Sequence, residues 1–302
     1  MSASDSPTDY SAWVGRTERA QDVLSQNLVQ RIAATFGEAA PADGEPLPLL
    51  WQWCFFQAPV PEAQLGADGH PLRGGFLPAA DDRNRMWAGG RLEFIEPLRV
   101  GAAAERLSTL LHIEEKHGRS GALLFVTVRH DYSQNGQLCL REEQDIVYRE
   151  PNPPKLGSDQ APATAQWSET ITPTPTLLFR YSAVTFNGHR IHYDHPYVTA
   201  TEGYAGLVVH GPMIATLLLR ACVRANPQAR VRHFAYRGVR PLTVPTPFHV
   251  SGRLLEPGRA QLWAGNEAGV AQSADVTFDP APSHVSRPAG DDASLTESEK
   301  TS

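Results

Sequence analysis

Hydrophobic positions along this chain change period several times. Residues Gln21 to Phe36 carry apolar side chains at Val23, Leu24, Leu28, Ile32 and Ala33, a spacing that predicts an amphipathic helix. "PLLWQWCFFQ" follows and reads as a buried strand. Residues 58 to 85 are rich in Pro, Gly and Asp and read as a long loop, a kind of segment that often carries function. Four strand-like runs come next: Trp87 to Val100, Glu105 to Glu115, Leu123 to Ser133 and Gln137 to Arg149. "SQNG" between the last two is a hairpin turn.

Residues 150 to 175 are dominated by Pro, Thr and Ala and read as a linker. The apolar run Leu177 to Phe186 is predicted as a strand, and a helix is expected from about Pro212 to Ala225. Strands are then predicted over roughly 230 to 240, 247 to 256, 259 to 265 and 270 to 278. Pro280 to Ser302 is polar and is expected to be disordered. Each half thus repeats an order of elements, one long helix plus four or five antiparallel strands, although no repeat aligns residue by residue. A helix wrapped by a curved antiparallel sheet is the hotdog arrangement. The expected fold is therefore α+β, a double hotdog. Its parts are a first half over 1–150, a linker over 151–175, a second half over 176–280 and a tail over 281–302.

Composition narrows the classes. The chain has 302 residues, 41% hydrophobic and 20% charged, enough for a sizeable core. The net charge of −6 argues against general nucleic-acid binding. Cys54, Cys139 and Cys222 are odd in number and far apart, so neither a disulfide framework nor a zinc site is indicated. No apolar stretch reaches the ~18 residues that span a bilayer; the longest, Met213 to Val223, is interrupted by Arg220. The start of the chain does not read as a signal peptide. These features predict a soluble, cytoplasmic protein.

Chemistry concentrates in "FNGHRIHYD", Phe186 to Asp194, and in "LVVHGPM", Leu207 to Met213. A single histidine is usually a packing or surface residue. Here Asn187, His189, Arg190, His192 and Asp194 crowd together between two apolar strings. His192 titrates near neutrality when unperturbed and suits acid–base work. The Asn187 amide can hold a water or a substrate oxygen but cannot take its proton. Asp194 either orients His192, pairs with Arg190 or caps the helix that "HPYVTATEGY" would start. Gly211 allows close approach of its backbone N–H, and Pro212 suits a first helical turn. Together they would present a helix N-terminus to an oxygen gaining negative charge.

These residues resemble the MaoC-like, R-specific enoyl-CoA hydratases and dehydratases. The family motif runs Asp-x-Asn-Pro-aliphatic-His, followed by a His-Gly pair. Its aspartate falls on Asn187, its asparagine on His189, its proline on Arg190 and its histidine on His192. The His-Gly pair falls on His210 and Gly211. The acid position thus holds an amide. The variant motif, with "GHPLRGGFLP", "RMWAGGRLEF" and "EEQDIVYRE" in the first half, is similar to one branch of the family. That branch contains itaconyl-CoA and mesaconyl-C(4)-CoA hydratases and 3-hydroxyacyl-thioester dehydratases.

The resemblance implies a hydro-lyase acting on a 2-enoyl or 3-hydroxyacyl thioester, with coenzyme A only as part of the substrate. It implies His192 as acid–base group, Asn187 as water holder and the Gly211 N–H as oxyanion donor. His189 and Asp194 are further catalytic candidates, and His210 is a substrate contact. A second substrate carboxylate calls for an arginine: Arg73, Arg91 or Arg190, with surface duty the better account of Arg91. For the phosphates of coenzyme A the candidates are Arg237 and Arg240, or Lys116 and Arg119. The first half, which has no "HRIH", is expected to shape the pocket without catalytic residues. Monomer and homodimer are both compatible. Two other readings compete: a hotdog thioesterase using Glu202, and a non-catalytic acyl-thioester binder, which the Asn at the acid position favours.

Overall fold

The computed structural model describes residues 10–72, 74–80, 83–118, 121–150 and 157–279. Arg73, Arg119, the start of the expected linker and the expected tail lie outside them. The first half contributes β1 (Thr17–Val23), α1 (Gln26–Phe36), β2 (Asn84–Phe94), β3 (Ala103–Gly118), β4 (Gly121–Gln134) and β5 (Gln137–Arg149). The second contributes β6 (Trp167–Ile171), α2 (Pro175–Val184), α3 (His195–Ala200), α4 (Gly211–Ala225), β7 (Arg230–Gly238), β8 (Phe248–Glu256), β9 (Arg259–Asn266) and β10 (Gly269–Asp279). The ten strands form one sheet, ordered β1-β3-β4-β5-β2-β7-β10-β9-β8-β6. Read inward from either edge, both halves use the order first, third, fourth, fifth, second. They meet where β2 pairs antiparallel with β7, from Gly89 opposite Arg237 to Glu93 opposite His233. This is a double hotdog with a single continuous sheet.

Three local readings change. The helix expected from Gln21 starts later: Thr17–Val23 is an edge strand on β3, and Ser25 stands at the N-cap position of α1. The run Leu177 to Phe186, expected as a strand, is helix as far as Val184 and a turn beyond it. Thr174 caps α2 by accepting from the Leu177 N–H, and Pro175 fits its first turn. Leu178, Tyr181, Ser182 and Val184 then form its buried face. "PLLWQWCFFQ" is not a strand either. It is buried, but it folds as a 3₁₀ turn over Trp51–Cys54 between two left-handed residues, Leu50 and Phe56. It is held from the side: the Trp53 indole N–H donates to the wholly buried Glu142 at 2.8 Å, and the Tyr132 hydroxyl donates to the same carboxylate at 3.0 Å.

The halves also differ in their helices. α4 is the long, apolar one, and its buried residues pack on the strands of the second half. α1 packs chiefly against α2. The linker region carries a strand, since β6 pairs with β8.

A residue-level repeat exists where the sequence showed only a repeated order. Ile95 and Glu96 both donate to Cys139 O; Val239 and Arg240 both donate to Ala271 O. Leu47 donates to Leu98 O as Val209 donates to Leu242 O, and Val100 to Glu45 O as Val244 to Leu207 O. "EPLRV" and "RPLTV" are therefore equivalent segments. In this register Pro48 and Leu49 stand where the second half has His210 and Gly211. Among the described residues, no helix is long and apolar enough to cross a membrane.

Candidate active site

α2 ends at Val184 with Thr185 as its C-cap, and the chain turns out of the helix at Phe186, which adopts a left-handed backbone with φ 49°. Asn187 closes that turn: its N–H donates to Ser182 O, and its Oδ1 accepts the His189 N–H at 3.0 Å. The amide oxygen is thus engaged by the motif's own backbone, and the Nδ2 hydrogens are the part of Asn187 suited to an external oxygen. A short 3₁₀ turn over Arg190–His192 follows.

His192 is 7% exposed, and its Nδ1 lies 2.7 Å from Val208 O. A carbonyl only accepts, so Nδ1 carries the proton and Nε2 is the basic nitrogen. Burial pushes the His192 pKa down to about 4, against the upward pull of the Val208 contact. The His192 ring stacks on that of His210, centroids 3.6 Å apart. His210 is 1% exposed, and its Nε2 is 2.8 Å from Ser182 Oγ. Burial, with His192 and His189 adding to it, holds His210 far below the usual imidazole range.

His210 stands at the N-cap position of α4, so the stack places His192 at that helix's positive end. Gly211 opens the helix beside unfilled space: an added Cβ would meet no atom within 4 Å. Pro212 has no N–H, which leaves the Gly211 and Met213 amides among the free donors of the first turn.

The other candidates are engaged elsewhere. Arg190 forks onto Asp194 Oδ2 with Nε and Nη2, donates from Nη1 to Ala67 O, and lies over the Tyr197 ring. Asp194 also accepts from the Tyr197 N–H as the N-cap of α3, so it pairs with Arg190 and caps at once. The Arg190 hydrogen bond holds its carboxyl below the usual range. Glu202 accepts from the Tyr197 hydroxyl and the Asn84 amide. Arg91 bridges Glu143 and Asp145 on an exposed face, in keeping with surface duty. Arg240 is turned onto Asn266 and the Gly269 carbonyl, where it braces the β9–β10 turn. Arg237 lines a cavity of about 440 Å³ with Ser158, Asp159 and Ser273. Lys116 pairs with Glu114.

The residue that sequence reasoning missed is His70. Its ring lies 4.1 Å from that of His189, centroid to centroid, and Asp68 holds it twice. "GHPLRGGFLP" carries part of the family likeness and the candidate Arg73, and no local pattern says that the loop reaches the second half. Asp68, His70 and His189 offer three polar atoms within 4.8 Å of one another, close enough for a cation; two of these already face each other in the Asp68–His70 hydrogen bond. A larger cavity, about 500 Å³, opens near the other end of α4 among Leu49, Gln52, Leu140 and Val223. None of the motif histidines lines it.

Residues 50–244 match the family model of hydroxyacyl-thioester dehydratase type 2. The chain is 45% identical over 255 residues to the Mesaconyl-C(4)-CoA hydratase of Chloroflexus aurantiacus, covering 82% of this chain and 90% of that one. Its fold is similar to that of a MaoC-like dehydratase from Phytophthora capsici, with TM-score 0.65 at 14% identity, over 88% of this chain and 96% of the other. It is also similar to a Mycobacterium tuberculosis protein described as a double hotdog, with TM-score 0.55 at 14% identity, over 88% and 96% of the two chains. The chain belongs to the hydroxyacyl-thioester dehydratase type 2 family and is a hydro-lyase.

Proposed function

We propose that the chain interconverts a 2-enoyl-CoA and a 3-hydroxyacyl-CoA whose acyl group is short and dicarboxylic, such as itaconyl or mesaconyl. The arrangement of His192 carries this reading: Nδ1 pinned by Val208 O, Nε2 basic, and the ring stacked at the start of α4. In the hydration direction, His192 Nε2 takes a proton from water as the oxygen bonds to Cβ. The π electrons move toward the thioester carbonyl, and the Gly211 N–H and the α4 dipole stabilise the enolate oxygen. Protonation at Cα completes the addition. Asn187 donates from Nδ2 to the water oxygen.

The named relative supports the dicarboxylic acyl group. Arg190 is taken by Asp194, so Arg73, three residues after His70, is the arginine we assign to the second carboxylate. Arg237 is assigned to a coenzyme A phosphate. Three free, buried cysteines fit a reducing compartment such as the cytoplasm.

The test is a panel of itaconyl-, mesaconyl- and crotonyl-CoA, followed for water addition and for free thiol. Hydration of a dicarboxylic ester well above crotonyl-CoA is expected. Thiol release without hydration would replace this reading with a thioesterase.

A further inference from the structure

Addition of water across a double bond moves two protons: one leaves the water and one arrives at Cα. His192 accounts for the first. Asn187 cannot exchange a proton, so the motif that usually supplies two acid–base groups supplies one.

The loop Gly66–His70 of the first half is built onto the motif. Arg190 N–H donates to Asp68 O at 2.9 Å, and Arg190 Nη1 donates to Ala67 O at 2.9 Å. Gly69 and Gly188 meet backbone to backbone, so closely that a Cβ on Gly69 would lie 2.0 Å from Gly188 O. The contact aims His70 at His189, whose ring is in turn 5.4 Å from His192, edge to face. Asp68 takes the His70 N–H on Oδ1 and the ring Nδ1 on Oδ2, each at 3.0 Å, so the imidazole is fixed in place and a positive charge on it is compensated.

We propose that Asp68 and His70 are positioning residues that complete the active site from the first half: acting through His189, they deliver the second proton, the one that Asn187 cannot carry. His70, held by Asp68, stores a proton. His189 passes it to Cα as the enolate collapses; His192 returns the proton taken from water to solvent and His70 takes one back from solvent, so the sum is one added water. The groups facing this arm from the neighbouring elements are Arg85, Arg190, His192 and Tyr197. Burial and the His70 charge lower the His189 pKa to about 2, so His189 is neutral between turnovers, and the Asp68 carboxylate against the ring Nδ1 makes His70 the place for the proton. Burial of Asp68 acts the other way, but its hydrogen bonds to His70 hold that carboxyl well below its usual range.

This inference rests on the hydration reading above. The test is the pH dependence of kcat and KM for wild type, Asp68→Asn and His70→Gln with the best ester of the panel. Gln keeps an amide for Asp68, so His70→Gln decides alone if Asp68→Asn fails to fold. We expect KM within about threefold and kcat lowered about 10- to 100-fold, within the range of a positioned proton donor. The arm works while His70 is protonated, so its activity is lost as pH rises. Removing the Asp68 charge therefore moves the alkaline limb to lower pH, and His70→Gln abolishes that limb. An unmoved profile with KM alone raised would make the loop a binding or structural element and overturn the proposal. Activity removed by a chelator and restored by a divalent ion would also overturn it. A wild type that hydrates no enoyl ester fails the reaction reading itself, and the arm with it; a hydrating wild type with unmoved variants fails the arm alone.

Discussion

At the scale of single residues, Asn187 shows how a side chain can hold its place in a motif while its chemistry changes. Its Oδ1 accepts the His189 N–H, a turn contact that Asp makes equally well. We expect Asn187→Asp to keep substantial activity, with one carboxylate oxygen closing the turn and the other facing the water. Asn187→Ala loses both contacts and should cost about 2–4 kcal/mol of transition-state stabilisation, the loss of one preorganised donor; kcat/KM of the two variants decides it. An Asn187→Ala enzyme near wild type would place the water elsewhere. His192→Ala should lower turnover by about two to four orders of magnitude with the fold intact. In the proposed mechanism His192 is the neutral base, and with its pKa lowered by burial to about 4 its contribution should persist at neutral pH and be lost as pH falls through about 4. His189 and His192 stand in one run, Phe186 to Asp194, and Gly211 in a second, Leu207 to Met213, so the sequence alone could propose them. His70 was not, because only the folded chain brings residue 70 against residue 189.

At the scale of elements, the strands were read well because alternation is a direct consequence of a half-buried sheet; β5 keeps its expected bounds, Gln137–Arg149. The errors fell on short apolar runs, where period alone does not separate a strand from a buried helix. For α2 the deciding signal was the Thr174–Pro175 start. For Trp51–Cys54 no pattern in the run decided it: its place depends on Glu142, 89 residues away from Trp53. The docking of the Gly66–His70 loop on the motif gives an element-level prediction. Gly69 has φ +84°, and its Cα faces Gly188 O. Gly69→Ala combines positive-φ strain with a clash against backbone, so the loop must lift. A displacement of about 1 Å near reacting groups costs on the order of a hundredfold in rate. We therefore expect kcat/KM to fall by about that factor while the melting temperature changes little, since the loop is only half-buried. A large loss of Tm with kcat/KM preserved in the folded fraction would show that the contact serves stability alone.

At the scale of the whole molecule, the buried histidines and the shared sheet set how the protein fails. His130 is held by Ser108 Oγ at 2.8 Å, and burial, with Arg106 adding to it, lowers its pKa to about 3. The unfolded chain binds a proton at this site near pH 6.5, whereas the folded one does so only near pH 3. Stability is therefore fully present above about pH 6.5 and falls on acidification, by about 2 kcal/mol at pH 5 for this group alone. A melting series from pH 7 to 5 should show the decline, and His130→Gln should make it shallower by this group's share, with the buried His189, His192 and His210 keeping the rest; a pH-independent Tm would contradict the burial argument. The two halves should unfold together. β2 and β7 share a hydrogen-bonded seam, and Trp53, Trp87 and Tyr236 pack across it with ring centroids 5.2 to 6.4 Å apart. One hydrophobic core runs from Leu24 through to Phe278. Gly89 lies at the seam with no room for a side chain: a Cβ there would be 2.4 Å from Tyr236 O. Gly89→Val must push β7 away from β2, and overpacking of this kind costs about 1–3 kcal/mol. At roughly 2–4 °C per kcal/mol for a chain of this size, the Tm should drop by several degrees. Calorimetry of the wild type should give one transition that coincides with loss of activity. Two separated transitions would mean that the halves hold their cores independently, and that the seam joins two finished domains rather than completing one.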